Sequence, residues 1–309
     1  GSGRLKGSID VYTRDIKDFI LERTVDVAVY GVNKRFENAG KLNTKGAELA
    51  LNYDLIKGAS TSYTTGVVLS TYKTILKEYV IPQEMRANLG APGQNGTNMV
   101  IVKEGQEIGQ IWGPEFTGVD DKGNPTFADL NGDGQFVTGA DKALEPNADF
   151  RVLGKGIPSL ELGWNNNLNV KGWTINAFFR GAFGHSLVNT FRAFYEPQVA
   201  SQSSYNYMNT SLKVDGLKTA RFSSLYVEKA DFFKLDNLTI SRSIPLGGVK
   251  AIQNLNISLT GQNLFVLTKY TGTDPEPSLV YYGTVDNGAV EDVNNPDVLS
   301  PGIDSRNNY

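Results

Sequence analysis

The sequence predicts an all-β chain, an antiparallel up-and-down segment of a transmembrane β-barrel with long loops at one end. Seven stretches alternate apolar and polar side chains with period two, the mark of a strand with one face in an apolar medium. The connections between them run long, short, long, short, long, short, long. A sandwich or soluble barrel has no reason to gather every long loop at one end, whereas an outer-membrane barrel has short periplasmic turns and long extracellular loops. Each stretch is also roughly nine to fourteen residues long, against about 9 to 11 needed to cross a bilayer at a tilt.

The first strand, 4–15, sets Leu5, Gly7, Ile9 and Val11 against Lys6, Ser8, Asp10 and Tyr12. The second, 45–55, opposes Ala47, Leu49, Leu51 and Tyr53 to Glu48, Ala50 and Asn52. Ile56, Lys57 and Gly58 alone separate it from the third, 59–72, which is hairpin spacing. In the fourth, 158–170, Leu160, Leu162, Trp164 and Leu168 oppose Glu161, Asn165, Asn167 and Asn169. Lys171-Gly172 turns it into the fifth, 173–183, where Ile175, Ala177 and Phe179 oppose Thr174, Asn176 and Arg180. The last two, 232–242 and 254–266, are joined by a compact Pro/Gly turn. The ends near 57, 171 and 248 are then periplasmic. Loops 16–44, 73–157, 184–230 and 267–309 are extracellular and irregular, with a short helix expected near 82–88. Trp164, Trp173 and Tyr53 are expected in aromatic belts at the membrane surfaces.

Seven strands cannot close a bacterial barrel, which takes an even number, and a sheet with two bare edges would aggregate. The remainder of the same barrel is therefore an expected partner, as is membrane lipid. No charged stretch followed by an apolar run opens the chain, so no signal peptide is expected; either the protein stays in the cytoplasm or the chain is a piece of a longer precursor.

Composition excludes several classes. The 309 residues contain no cysteine, so neither disulfides nor thiolate metal sites are available. The net charge is −3 with both signs interspersed, which leaves no basic footprint for nucleic acid. No run approaches the ~20 apolar residues of a membrane helix.

Asp129-Leu-Asn131-Gly-Asp133-Gly134-Gln135 has calcium-loop spacing, with side-chain oxygens at alternate positions, a glycine for the sharp turn and then a backbone carbonyl. Position twelve is Ala140, and Asp141 follows one place late. A distorted site would use Asp129, Asn131, Asp133, the Gln135 carbonyl and Asp141; an Asx/Gly turn in a polar loop accounts for the same residues. Ser70 to Lys73 spells SxxK, but at a strand end and without SDN or KTG, which reads as chance. His185 is the only histidine and no GxSxG accompanies it. No phosphate-binding glycine motif appears. With no catalytic constellation, the chain is not expected to be an enzyme. The loops do carry Trp112, Phe116, Phe191, Phe194, Tyr195, Tyr205 and Tyr207, stacking surfaces for sugars or peptides, though loops packing on one another need the same residues.

Four stretches also resemble a known family: 232–245, GQNLFVLTKYTGTDPEPS at 261–278, FENAGKLNTKGAELALNY at 36–53, and the DLNGDG run followed by GIPSLELGWNN at 156–166. They are similar, in order, to the C-terminal barrel portion of SusC/RagA-type TonB-linked outer-membrane proteins. The resemblance implies an outer-membrane nutrient importer of a Gram-negative bacterium that takes up oligosaccharides or peptides. It implies a SusD-like surface lipoprotein as lid, TonB acting through an N-terminal part that lies outside this chain, and a plug domain and terminal strand likewise outside it. A soluble, secreted β-sandwich with a calcium-dependent carbohydrate site explains the alternation and the turns, but not the one-sided loops.

Overall fold

The computed structural model describes residues 3–80, 85–88, 97–134, 136, 149–198, 207–219, 221–247, 253–277, 285–286 and 289–290. Seven strands form one sheet: β1 Leu5–Thr24, β2 Lys34–Lys57, β3 Thr61–Tyr79, β4 Leu160–Val170, β5 Trp173–Phe183, β6 Phe232–Pro245 and β7 Asn254–Thr268. Each pairs antiparallel with its sequence neighbour, so the sheet is a pure meander with β1 and β7 at its edges.

Two adjacent rungs of the ladder show what organises it. One runs Gly7, Leu51, Val67, Trp164, Phe179, Leu235, Phe265 across all seven strands. The next runs Lys6, Asn52, Gly66, Asn165, Phe178, Asn237, Gln262. Side chains alternate across a strand, so the first rung presents one face and the second the other. The first face stays apolar: Ile9, Val11, Ile257 and Leu259 stand 55 to 80% exposed, and among the described residues no second sheet covers them. Below the level of Lys45 and Lys73, Arg242 is its only charged position, and the Arg242 guanidinium lies 4.9 Å from the centre of the Trp173 ring. The long cation thus reaches the strand end over an aromatic, as interfacial cations do. The opposite face is polar. There Thr239 and Thr260 share a 3.0 Å hydrogen bond, and Gly66 makes room for Asn52, whose Oδ1 would lie 2.3 Å from any Cβ.

The β4–β5 turn needs only Lys171 and Gly172, both at positive φ (48° and 86°). That geometry matches the twist of a tight hairpin. Trp173 stands beside this turn, whereas Trp164 lies mid-strand, stacked 4.9 Å from Phe179, which in turn stacks 5.5 Å from Phe233.

The loop end departs from the expected irregular connections. Strands β1 and β2 continue through most of 16–44, leaving only 25–33 as a tip with a short helix, Val27–Tyr30. Alternation fades there, with Ala39 and Asn43 buried between largely polar neighbours, while the backbone ladder continues to Thr24 and Lys34. Within 73–157, β3 runs on to Tyr79, and Met85–Asn88, Asn98–Val102, Gln110–Pro114 and Phe150–Lys155 form a four-stranded sheet. The helix expected near 82–88 is therefore corrected at 85–88, which is strand; 81–84 lie outside the described residues. Met99, Val100, Ile101 and Val102 offer a partner with strong β preference, and pairing overrides local propensity. Phe116–Val119 pairs with Pro125–Phe127. Within 184–230, Ser186–Val188 pairs with Val227–Lys229, and helix α2, Thr190–Tyr195, lies between. The buried core sits here, at the loop end. Met99, Ile111, Val188 and Phe222 form its centre, with Leu153 and Val227 against them.

Candidate functional site

The ordered loops build a crown over the polar face of the wall. Its fixed point is Arg192 on α2, 2% exposed. The helix is capped by Asn189, whose side chain accepts the Arg192 N–H at 3.1 Å. Arg192 Nε donates to Glu196 at 2.8 Å and Nη1 to Glu228 at 2.7 Å, while the Leu225 and Leu212 carbonyls accept at 3.2 and 3.1 Å. Burial pulls the guanidinium pKa down, but the hydrogen bonds and charges of Glu196 and Glu228 outweigh it and hold it above its ordinary value. Burial pushes the neighbouring Tyr226 phenol far up.

Glu228 extends this network to the segment that leaves β7. It accepts the Thr271 N–H at 2.8 Å, and Asn189 Nδ2 donates to Thr271 Oγ1 at 3.2 Å. Tyr270 is buried against Leu187 and Ala230. The Pro275 carbonyl lies 3.3 Å from His185 Nε2. Glu276 then takes both Arg180 nitrogens, at 2.6 and 2.9 Å, and also pairs with Lys234. A bulge opposite Phe178–Phe179 adds Asp236 to the strand, and its carboxylate lies 3.3 Å from Arg180 and 3.4 Å from Lys234. Residues 269–277 are therefore a strap that folds back onto the polar face and is fastened to it. Burial holds the His185 pKa below its ordinary value, against the opposing pull of the Pro275 carbonyl and of Asp231, Glu161 and Glu276.

The sequence-predicted candidates are scattered over this crown. Trp112 is 7% exposed, packed on Ile101 and 4.7 Å from Phe150, so its ring is core. Phe116 is half-buried, and its N–H donates to Ser224 Oγ at 2.9 Å. Tyr195 stacks on Phe191 at 5.7 Å and meets Phe194 edge-on at 4.7 Å. Tyr207 is 41% exposed; Tyr205 lies outside the described residues. At the calcium-like loop, Asp129 accepts the N–H groups of Gly132 and Gly134 at 2.7 and 2.8 Å. Asn131 Oδ1 accepts the Asp133 N–H at 3.0 Å and its Nδ2 donates back to Asp133 Oδ2 at 3.1 Å. Gln135 and Asp141 lie outside the described residues. Sequence reasoning missed the Arg192 network and the strap, whose members lie up to 96 positions apart. Only the run of Tyr270, Thr271, Pro275 and Glu276 inside the resembling 261–278 stretch could have pointed to the strap.

Among the described residues no helix is long and apolar enough to cross a membrane. No family model matches the sequence. Along 88% of its length the chain is 27% identical, over 301 residues, to TonB-dependent receptor P3 of Formosa agariphila, of which it covers 29%. It is 21% identical over 296 residues to TonB-dependent receptor SusC of Bacteroides thetaiotaomicron, covering 89% of this chain and 28% of that one. Among solved structures, the RagAB peptide transporter superposes with a TM-score of 0.70 at 20% identity, over 88% of this chain and 30% of that one. The chain thus spans under a third of the length of the relatives it matches. In sequence along most of its length, and in fold, it is similar to the barrel portion of SusC/RagA-type TonB-dependent receptors.

Proposed function

We propose that this chain forms part of the wall and the extracellular crown of an outer-membrane importer in a Gram-negative bacterium. Uptake would be TonB-dependent, the cargo oligosaccharide or peptide, and the lid a SusD-like surface lipoprotein. The observation that carries the reading is the contrast between the two faces of one meander, apolar and uncovered on one side, polar and overlaid by loops on the other. That is what a sheet between hydrocarbon and a wet lumen requires. A soluble sandwich would bury the face that bears Ile9, Val11 and Leu259, and these side chains are exposed. The chain contributes shape, stacking rings and hydrogen-bonding groups, and no bond-breaking step.

The test is purification from native outer membranes in mild detergent, with mass spectrometry of the protein that carries these peptides. A much longer chain that co-purifies with a surface lipoprotein, and whose deletion abolishes growth on one class of glycan or peptide, is the expected result. Recovery in the soluble fraction as a protein of this length would overturn the proposal.

A further inference from the structure

The turn end of the apolar face holds a cation that nothing among the described residues neutralises. Trp173 and Arg242 face each other as the last paired rung of β5 and β6, with Val170 and Ile257 on either side. The Ser243 N–H donates to the Gly172 carbonyl at 3.2 Å, which sets Arg242 at the level of the β4–β5 turn. Apolar rungs flank it along the strands, Ile240 and Leu259 toward the crown and Ile244 and Leu255 toward the turn end. Cations elsewhere on the wall are paired: Arg180 and Lys234 share Glu276, and Lys57 lies 2.9 Å from Asp54. Arg242 is exposed and makes neither an ion pair nor a hydrogen bond among the described residues. It meets the Trp173 ring, which attracts a cation but supplies no counter-charge. The Trp173 indole N–H is also without a partner among the described residues, whereas that of Trp164, on the same face, donates to Thr65 Oγ1 at 2.8 Å.

We infer that Arg242 and Trp173 form a binding site for the phosphate of an anionic phospholipid, whose acyl chains lie along Ile240, Ile257 and Leu259. This site presupposes the wall proposed above, which sets this face in hydrocarbon and the turn end toward the periplasm. A charge facing lipid needs a counter-ion or water, and the anion it meets at the edge of the hydrocarbon is a headgroup phosphate. The guanidinium suits that ligand, because it is planar, permanently charged and presents paired N–H groups to two phosphate oxygens. The indole N–H is a further donor beside it. A singly negative headgroup is preferred to a zwitterionic one, whose own ammonium competes for the same oxygens. Ile257 and Leu259 are exposed, which leaves the path of the chains open.

The test uses the full protein in vesicles of phosphatidylethanolamine and phosphatidylglycerol at equal mole fraction, with brominated chains, a short-range tryptophan quencher, on one lipid or the other. Subtracting the emission of Trp173→Phe isolates Trp173. Brominated phosphatidylglycerol should quench Trp173 as though enriched about fivefold over brominated phosphatidylethanolamine, the preference one interfacial cation supplies. Arg242→Gln should abolish that preference and Arg242→Lys should retain part of it. Lys57→Gln, at the same end but on the polar face, should leave it unchanged. Equal quenching by the two lipids, a preference that survives Arg242→Gln, or an equal loss in Lys57→Gln would overturn the site and leave the wall in lipid. Emission that neither lipid quenches would overturn the placement of this face in the membrane, and the proposed function with it.

Discussion

The wall and the crown use the same residue types to opposite ends. In the wall, Ile9 and Leu259 are each 75% exposed, and in the crown Met99 and Ile111 are fully buried. Conversely, a charged side chain is almost excluded from the outer face of the wall, while the crown buries Arg192 at its centre. The difference lies in the solvent. Lipid accepts an apolar side chain and leaves nothing to be gained by packing it, whereas water drives the loops to make a core of their own. Exposure of a large aliphatic residue is thus a property of its medium, and says nothing of instability.

The sharpest way to break the comparison is to remove the charge the crown depends on. Arg192→Ala leaves Glu196 and Glu228 buried without their cation and should destabilise the crown by about 3–5 kcal/mol. Hydrogen exchange should rise across 186–196 and 226–230 while β4 and β5 stay protected; a loss of protection throughout the wall would show that the two regions are one cooperative unit. The mirror experiment puts a charge in the wall. Leu238→Arg, on the lipid face between Leu235 and Ile240, should cost about 2–4 kcal/mol and reduce insertion into outer membranes. Its neighbour Thr239→Arg, on the polar face, should insert at close to the native level. Equal effects would refute the assignment of faces.

Two smaller effects sharpen the boundary between the regions. Glu276→Gln removes the charge that bridges Arg180 and Lys234 and should loosen the strap by about 1 kcal/mol, since these groups are partly solvated. Exchange in 269–277 should rise while the rest of the crown is unchanged. The pH dependence is smaller still. Because the folded pKa of His185 is depressed, its neutral form holds the strap fully above the unfolded pKa of about 6.5, and the contribution is lost as pH falls below that value. Strap exchange should accelerate as the pH falls below about 6.5, and His185→Phe should flatten that rise.

How much could be read in advance follows the same divide. Strand β5, Trp173–Phe183, is legible to the residue because lipid on one side and water on the other write a period of two into it. The same chemistry marks Leu49 to Tyr53, and it stops marking β2 above Lys45, where the ladder continues but burial falls on scattered positions such as Ala39 and Asn43 and polar side chains pair across the strands, as Asn43 does with Thr13 and Asp15. The crown is opaque for a different reason. Its strands are 3 to 6 residues long, too short for any period to show, and some are buried on both faces, as in Met99, Val100 and Ile101. Its polar centre joins Asn189, Glu196, Glu228 and Thr271, a set that only the folded chain brings together.

The length of the β1–β2 hairpin has a consequence in reach. Strand β2 is 24 residues long, roughly 80 Å at about 3.3 Å per residue. Tilted by about 40°, it rises some 60 Å, more than twice the ~25 Å apolar band it must cross. The hairpin is in effect a mast rooted in the bilayer, and its tip, with Val27, Val29 and Tyr30 unburied, stands tens of ångströms clear of the lipid headgroups. A hairpin of this length carries its tip well past the apolar band, on a backbone ladder that runs to Thr24 and Lys34 with a single irregularity near Asp18.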